Sequence, residues 1–215
     1  METVNLSKET VNLSKGDKIN LSKHTENFSE AMVGLGWDPV TVSGLGFIAR
    51  LLGLKMDYDL DAYVVLLRDG VFSGNTSDVV YYRNLEFRHK GKLAIEHKGD
   101  NLTGHGAAGS DKEQIVINFD KLPKSVDQLI VAVTLYRGYE RGQSLGKVKN
   151  QFIRIVDTKQ NFEMCKYGSK VMSDDYEAQT FIAGRFYKEN GDWQFEAIGK
   201  ATKHKDIGQL ANSYA

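Results

Sequence analysis

Residues 178–187, Ala-Gln-Thr-Phe-Ile-Ala-Gly-Arg-Phe-Tyr, and 193–198, Trp-Gln-Phe-Glu-Ala-Ile, flank the short stretch Glu189-Asn190-Gly191-Asp192. In the second run Trp193, Phe195 and Ala197 alternate with Gln194 and Glu196, the period of two that belongs to an extended chain with one face buried. Asn-Gly is the pair that tolerates the positive φ angles of a type I′ turn, so the whole stretch reads as a β-hairpin.

Working outward, short strand-like runs recur with turn residues between them, at residues 62–67, 79–82, 92–97, 113–119, 128–136 and 151–156. That spacing belongs to an all-β fold, a two-sheet antiparallel β-sandwich. Only three stretches carry a helical pattern, at residues 47–54, 143–150 and 206–214, so the fold is β-rich with a few short helices. The 21 glycines sit mostly between runs and the prolines number two, which suits tight turns more than long linkers.

The amino-terminal end is repetitive. Glu2-Thr3-Val4-Asn5-Leu6-Ser7-Lys8 recurs identically as residues 9–15, and approximately as Asp17-Lys18-Ile19-Asn20-Leu21-Ser22-Lys23. Apolar residues two apart, with Lys15-Gly16-Asp17-Lys18 as a turn, predict a hairpin over residues 11–23. The first copy is then a surplus duplicate. Residues 1–10 are expected to form a mobile arm, and residues 11–215 a single domain.

Lys plus Arg equals Asp plus Glu at 28 each, so no net field draws the chain to nucleic acid or to an anionic membrane. The one cysteine, Cys165, rules out an internal disulfide framework and suits a reducing compartment. The N-terminus lacks an apolar signal core, and no uncharged apolar run reaches the roughly 18 residues of a membrane span. A cytoplasmic location is the expectation.

Chemistry concentrates in two acidic segments. Asp57-Tyr58-Asp59-Leu60-Asp61 places carboxylates at alternate positions just ahead of the run at residues 62–67. On an extended chain they point to one side, about 6.7 Å apart at ~3.3 Å rise per residue. A second segment, from Gly99 through Asp100, Asn101 and Thr103 to Ser110, Asp111, Lys112 and Glu113, carries three carboxylates, an amide, two hydroxyls and several glycines. Such hard oxygen donors suit Ca²⁺, which takes six to eight oxygens at roughly 2.3–2.6 Å. An ordinary solvated acidic surface accounts for the same residues. An EF-hand does not, because Ala62 stands where its loop needs glycine and the flanking pattern is strand.

Read in order, Val11-Asn12-Leu13-Ser14-Lys15-Gly16, Gly34-Leu35-Gly36-Trp37-Asp38, Asp59-Leu60-Asp61-Ala62, Gly99-Asp100-Asn101-Leu102-Thr103-Gly104, the run at residues 148–156 and Gly191-Asp192-Trp193 resemble the TerD family of tellurium-resistance and stress-response proteins. The resemblance spans about residues 11–200. It implies a two-sheet sandwich that binds calcium at loops on one end and acts in resistance to tellurite, phage or other stress. Carried over by position, the ligand candidates are Asp59, Asp61, Asp100, Asn101, Asp111 and Glu113, which Asp57 joins from the alternating strand end. Two departures stand out. Lys112 occupies a position where the family's loop has a carboxylate, and the stretch between Trp37 and Asp57 is longer and more apolar, with a stripe at Phe47, Ile48, Leu51, Leu52 and Leu54 that suits core or a docking surface.

Other motifs carry less. Gly104-His105-Gly106-Ala107-Ala108-Gly109 matches G-x-G-x-x-G, but a strand follows it and no helix, so no pyrophosphate site is expected. His97 and His105 match no zinc spacing and read as surface residues. Asp59 and Asp61 lie on one strand face and cannot flank a glycosidic bond, and no nucleophile motif is present. The sequence therefore points to a non-enzymatic calcium-binding module, with other proteins of a stress-resistance system as partners. A calcium-dependent membrane or glycan reader and a metal-dependent hydrolase are the alternatives.

Overall fold

A computed structural model of the chain describes residues 9–38, 58–99, 110–169 and 177–215. Two sheets pack face to face. The first holds seven strands in the order β1 (Val11–Leu13), β11 (Phe162–Ser169), β10 (Lys149–Asp157), β3 (Glu30–Asp38), β8 (Glu113–Asn118), β7 (Lys92–His97) and β6 (Glu86–His89). The second holds six, in the order β2 (Lys18–Asn20), β13 (Asp192–Thr202), β12 (Thr180–Glu189), β9 (Gln128–Leu135), β4 (Leu60–Leu67) and β5 (Val79–Val80). Every pairing is antiparallel except that of β1 with β11. The all-β sandwich read from the runs is the fold.

The Asn-Gly hairpin is β12–β13. Glu189 pairs with Asp192, and Asn190 at φ 53° and Gly191 at φ 88° make the turn that their side chains permit. Phe186 lies opposite Phe195, both buried in the core between the sheets.

The amino-terminal hairpin is corrected. Asp17 N–H does donate to Ser14 C=O at 3.0 Å, closing the expected turn. Its two arms then separate, β1 adding to the edge of the seven-stranded sheet and β2 to the edge of the six-stranded one. Each short arm gains a full ladder on a long neighbour, which a three-residue hairpin of its own would not supply. Of the three helical expectations, residues 206–214 contain α2 (Ile207–Asn212), the second helix after the short α1 (Leu21–His24), and residues 47–54 lie outside the described residues. Residues 143–150 form only a 3₁₀ turn over Leu145–Lys147 before β10 begins.

Strand β4 positions the site. Leu60, Ala62, Val64 and Leu66 point into the core between the sheets, whereas Tyr63, Val65 and Leu67 join a second apolar cluster under α2, with Leu210 and Ala211. Burial on both faces explains why residues 62–67 are apolar without alternation. Cys165 on β11 is buried, and burial pushes its thiol up to about 12, so it stays protonated and packs as a small apolar group.

Candidate functional site

Strand parity decides which side chains reach the entry of β4. On β8, Ile115 and Ile117 point into the core, and Glu113 at the head of the strand shares their side. Its carboxylate crosses between the sheets and accepts the Ala62 N–H at 2.5 Å. The partner strand β5 reaches only Val64 and Val65, so the Ala62 amide lies past its end and Glu113 supplies the acceptor. Asp61, adjacent to that amide, is 3% exposed, and Asp59, whose backbone C=O accepts the Tyr136 N–H at 2.8 Å, is 7% exposed. Glu113 of the second acidic segment thus touches the backbone of the first at the Asp61-Ala62 peptide, while the Asp61 side chain lies on the other face of β4.

His97 stands behind Glu113. Its Nδ1 accepts the Gly99 N–H at 3.1 Å, which leaves the proton on Nε2, and Nε2 lies 3.5 Å from a Glu113 carboxylate oxygen. The surface position expected for this histidine is thus corrected, since it is buried at the core end of β7. The signal is present in the sequence: Ile95 is a core residue and His97 follows it by two.

Asp111 lies elsewhere. Its two oxygens each sit 2.7 Å from the Arg154 guanidinium, and one of them also accepts from the Gln114 side-chain amide at 2.9 Å. Arg154 and Gln114 occupy the outward-facing positions of β10 and β8, and Gly34 of β3 pairs with both. A Cβ at Gly34 would collide with the Asp111 carboxylate, so the glycine makes the space into which that group folds. Two carboxylates two residues apart consequently serve opposite faces of one sheet, and Lys112 between them is 7% exposed, with its N–H donating to Leu35 C=O at 2.7 Å. The fork from Asp111, reinforced by Glu163 at 3.1 Å, pushes the Arg154 guanidinium further above its ordinary range.

Asp61 also faces outward, into a cleft of about 520 Å³ on the far side of the six-stranded sheet, where Thr134 of β9 and the rings of Tyr82 and Tyr136 line it with α2. Burial, and after it the Asp61 charge, push the Tyr82 phenol upward, which marks the two as electrostatic neighbours. Among the described residues no group of three His, Cys, Asp or Glu side chains gathers into a metal site. Asp57, Asp100 and Asn101, the remaining sequence candidates, lie outside those residues, as does His105.

The fold and the buried carboxylates at the entry of β4 define an all-β sandwich with an acidic strand end. The pattern of the TerD domain matches residues 10–214, and the chain belongs to the TerD family. It is 39% identical over 206 residues to the stress response protein SCP2 of Bacillus subtilis (strain 168), covering 95% of this chain and 98% of that one. It is 34% identical over 192 residues to the tellurium resistance protein TerD of Serratia marcescens, covering 89% and 90%. The crystal structure of a homologue of telluride resistance protein (TerD) from Streptomyces coelicolor A3(2) superposes with a TM-score of 0.59 at 18% identity, over 86% of this chain and 96% of that one, and shares the fold. No helix among the described residues is long and apolar enough to cross a membrane.

Proposed function

We propose that this chain is a calcium-binding stress-response module of the tellurite-resistance type, cytoplasmic and non-enzymatic, that works as a binding or scaffold protein alongside other proteins of a resistance system. The observation that carries the reading is the Glu113 carboxylate on the Ala62 amide beside Asp61. It ties segments about fifty residues apart at one strand edge, with Glu113 on the inner face and Asp61 on the outer, and in this reading a cation offsets the charge of the buried carboxylates.

The ligands proposed are Asp57, Asp59, Asp61, Asp100, Asn101 and Glu113. The described members are carboxylates alone, the donors Ca²⁺ prefers, and they do not by themselves complete a shell. Asp111 plays a different part in this reading, because both of its oxygens are engaged by Arg154. Lys112 stands between the two carboxylates as a built-in cation, which limits how many ions this end of the loop accepts. Calcium supplies charge neutralisation and cross-linking of the two sheets, and resistance follows from partners that recognise the ordered pole.

Thermal melts in EGTA and in millimolar Ca²⁺ test the reading. A site of this kind gains about 2.7 kcal/mol at a hundredfold excess of ion over its dissociation constant. Coincident melts together with no calorimetric heat would remove calcium from the account.

A further inference from the structure

Strand β1 is the end strand of the seven-stranded sheet, three residues long and paired on one side alone. A strand so short and so placed is the part of a sheet that opens most readily. Its seat is specific all the same. Val11, Asn12 and Leu13 run parallel to Cys165, Lys166 and Tyr167 of β11. Leu13 is buried, Val11 packs against the core between the sheets, and Thr10 Oγ1 donates to Glu163 C=O at 3.0 Å.

All of these contacts come from the second copy of the amino-terminal repeat, and the first copy, Glu2-Thr3-Val4-Asn5-Leu6-Ser7-Lys8, is identical to it. Thr3 matches the donor, Val4 and Leu6 match the apolar pair, and Asn5 matches the exposed residue between them. The third, approximate copy does not fit the seat. Lys18 stands where the other two have threonine, and Ile19 is already opposite Phe195 on β13.

The connection to β2 decides which copy is resident. Gly16 N–H donates to Ala197 C=O at 2.7 Å and Ala197 N–H to Asp17 C=O at 3.0 Å, so the chain is tied to β13 from residue 16 onward. Four residues, 14–17, bridge the gap from Leu13 to β2. Asp17 N–H on Ser14 C=O at 3.0 Å, and Ser14 N–H on the Asp17 carboxylate at 2.7 Å, close that turn. From Leu6 the bridge is eleven residues, 7–17. Closure entropy grows slowly with length, so the longer bridge disfavours the first copy only about fivefold before the turn hydrogen bonds are counted.

We infer that the two identical copies are alternative occupants of one seat. Residues 9–15 hold it at rest, and residues 2–8 take the same place on β11 of the same molecule when the second copy is displaced. The sheet edge over Cys165 is covered in either register, so the chain can give up residues 9–15 without opening its core. The exchange does not depend on the calcium reading.

The test uses three variants of the full chain, Leu6→Asp, Leu13→Asp and the two together, each read by thermal melting and by the rate at which a thiol reagent labels Cys165 in native buffer. Cys165 is the only cysteine, is buried and lies opposite Val11, so labelling reports an open seat. Leu6→Asp should melt and label as the parent does. Leu13→Asp should label about tenfold faster, through loss of the short bridge and its turn bonds. The double variant should label about a hundredfold faster again, with a lower melt, or fail to fold where Leu13→Asp folds. The inference is overturned if Leu13→Asp alone labels and melts like the double variant, because no reserve strand then takes the seat. It is overturned equally if the double variant behaves as the parent does, or if Leu6→Asp alone speeds labelling as much as Leu13→Asp. Protection in Leu13→Asp that rises with protein concentration also overturns it, because the strand then comes from a second copy of the chain.

Discussion

Asp111 and Glu113 are two residues apart, both acidic and both nearly sealed from solvent, yet they belong to different regions and do different work. Asp111 lies over the outer face of the seven-stranded sheet in the fork of Arg154, above the space that Gly34 leaves. Glu113 turns inward and spans the gap to the second sheet at Ala62. The contrast teaches that a carboxylate's role follows from what its strand position lets it meet. A guanidinium on the same face fixes Asp111 as part of the scaffold, whereas Glu113 meets a backbone amide and a histidine at the acidic strand edge.

Four changes break or sharpen that contrast. The largest effect is expected from Arg154→Ala, which strands a carboxylate whose side chain is 4% exposed. A loss of about 2–4 kcal/mol should follow, under the ~3–5 of a fully buried pair because Arg154 itself keeps some solvent. Chemical denaturation measures the loss, and a calcium response that survives it keeps the clamp and the ion site separate. Gly34→Ala should come next, at about 1–3 kcal/mol by overpacking, since the new methyl group must displace the Asp111 carboxylate. If that variant instead melts like the parent, Asp111 is not seated as described.

Glu113→Gln is smaller for stability and larger for function. The amide oxygen still accepts from Ala62, so about 1 kcal/mol is the expected loss. The charge is gone, however, and calcium-linked stabilisation should fall with it. Glu30 at the head of β3 provides the control. The Thr158 hydroxyl at 2.6 Å, with the Asn118 amide and two lysines, holds its carboxyl below the ordinary glutamate range against the opposing effect of burial. A folded pKa below the unfolded one gives stability that is present above the unfolded value and is lost as pH falls through the folded value. Glu30→Gln should therefore flatten a small part of the acid limb of the stability profile and leave calcium binding unchanged.

Much of the fold is legible in the sequence because turn chemistry and alternation are local. Asn190-Gly191 marks the β12–β13 hairpin, and the runs at 92–97 and 113–119 fall on β7 and β8 almost residue for residue. Three strands, β3, β6 and β11, are hidden, and the four residues of β6 are too few to show a period. In β3 the outward positions are Met32, Gly34 and Gly36, and glycine there marks crowding by Asp111 and Phe152, a tertiary fact that no local pattern carries. In β11 Glu163 and Lys166 interrupt the apolar run, although the strand is paired on both sides. The amino-terminal turn is legible and its consequence is not, because which sheet an arm joins depends on the free edges available to it.

The candidate site is legible as composition and only partly as geometry. Alternation identifies Asp59 and Asp61, and the loop identifies Glu113. Separating Asp111 from Glu113 needs Arg154, more than forty residues away in sequence. The tyrosines beside Asp61 come from two separate segments, at residues 81–82 and 136–139, and leave no motif.

The most direct test is calorimetric titration of Ca²⁺ into the parent chain, Asp61→Asn and Asp111→Asn under identical conditions. Calcium at the β4 edge predicts saturable heat in the parent, its loss or marked weakening in Asp61→Asn, and its retention in Asp111→Asn once that variant's lower stability is allowed for. An affinity that Asp61→Asn leaves untouched, or one that Asp111→Asn alone abolishes, would contradict the account.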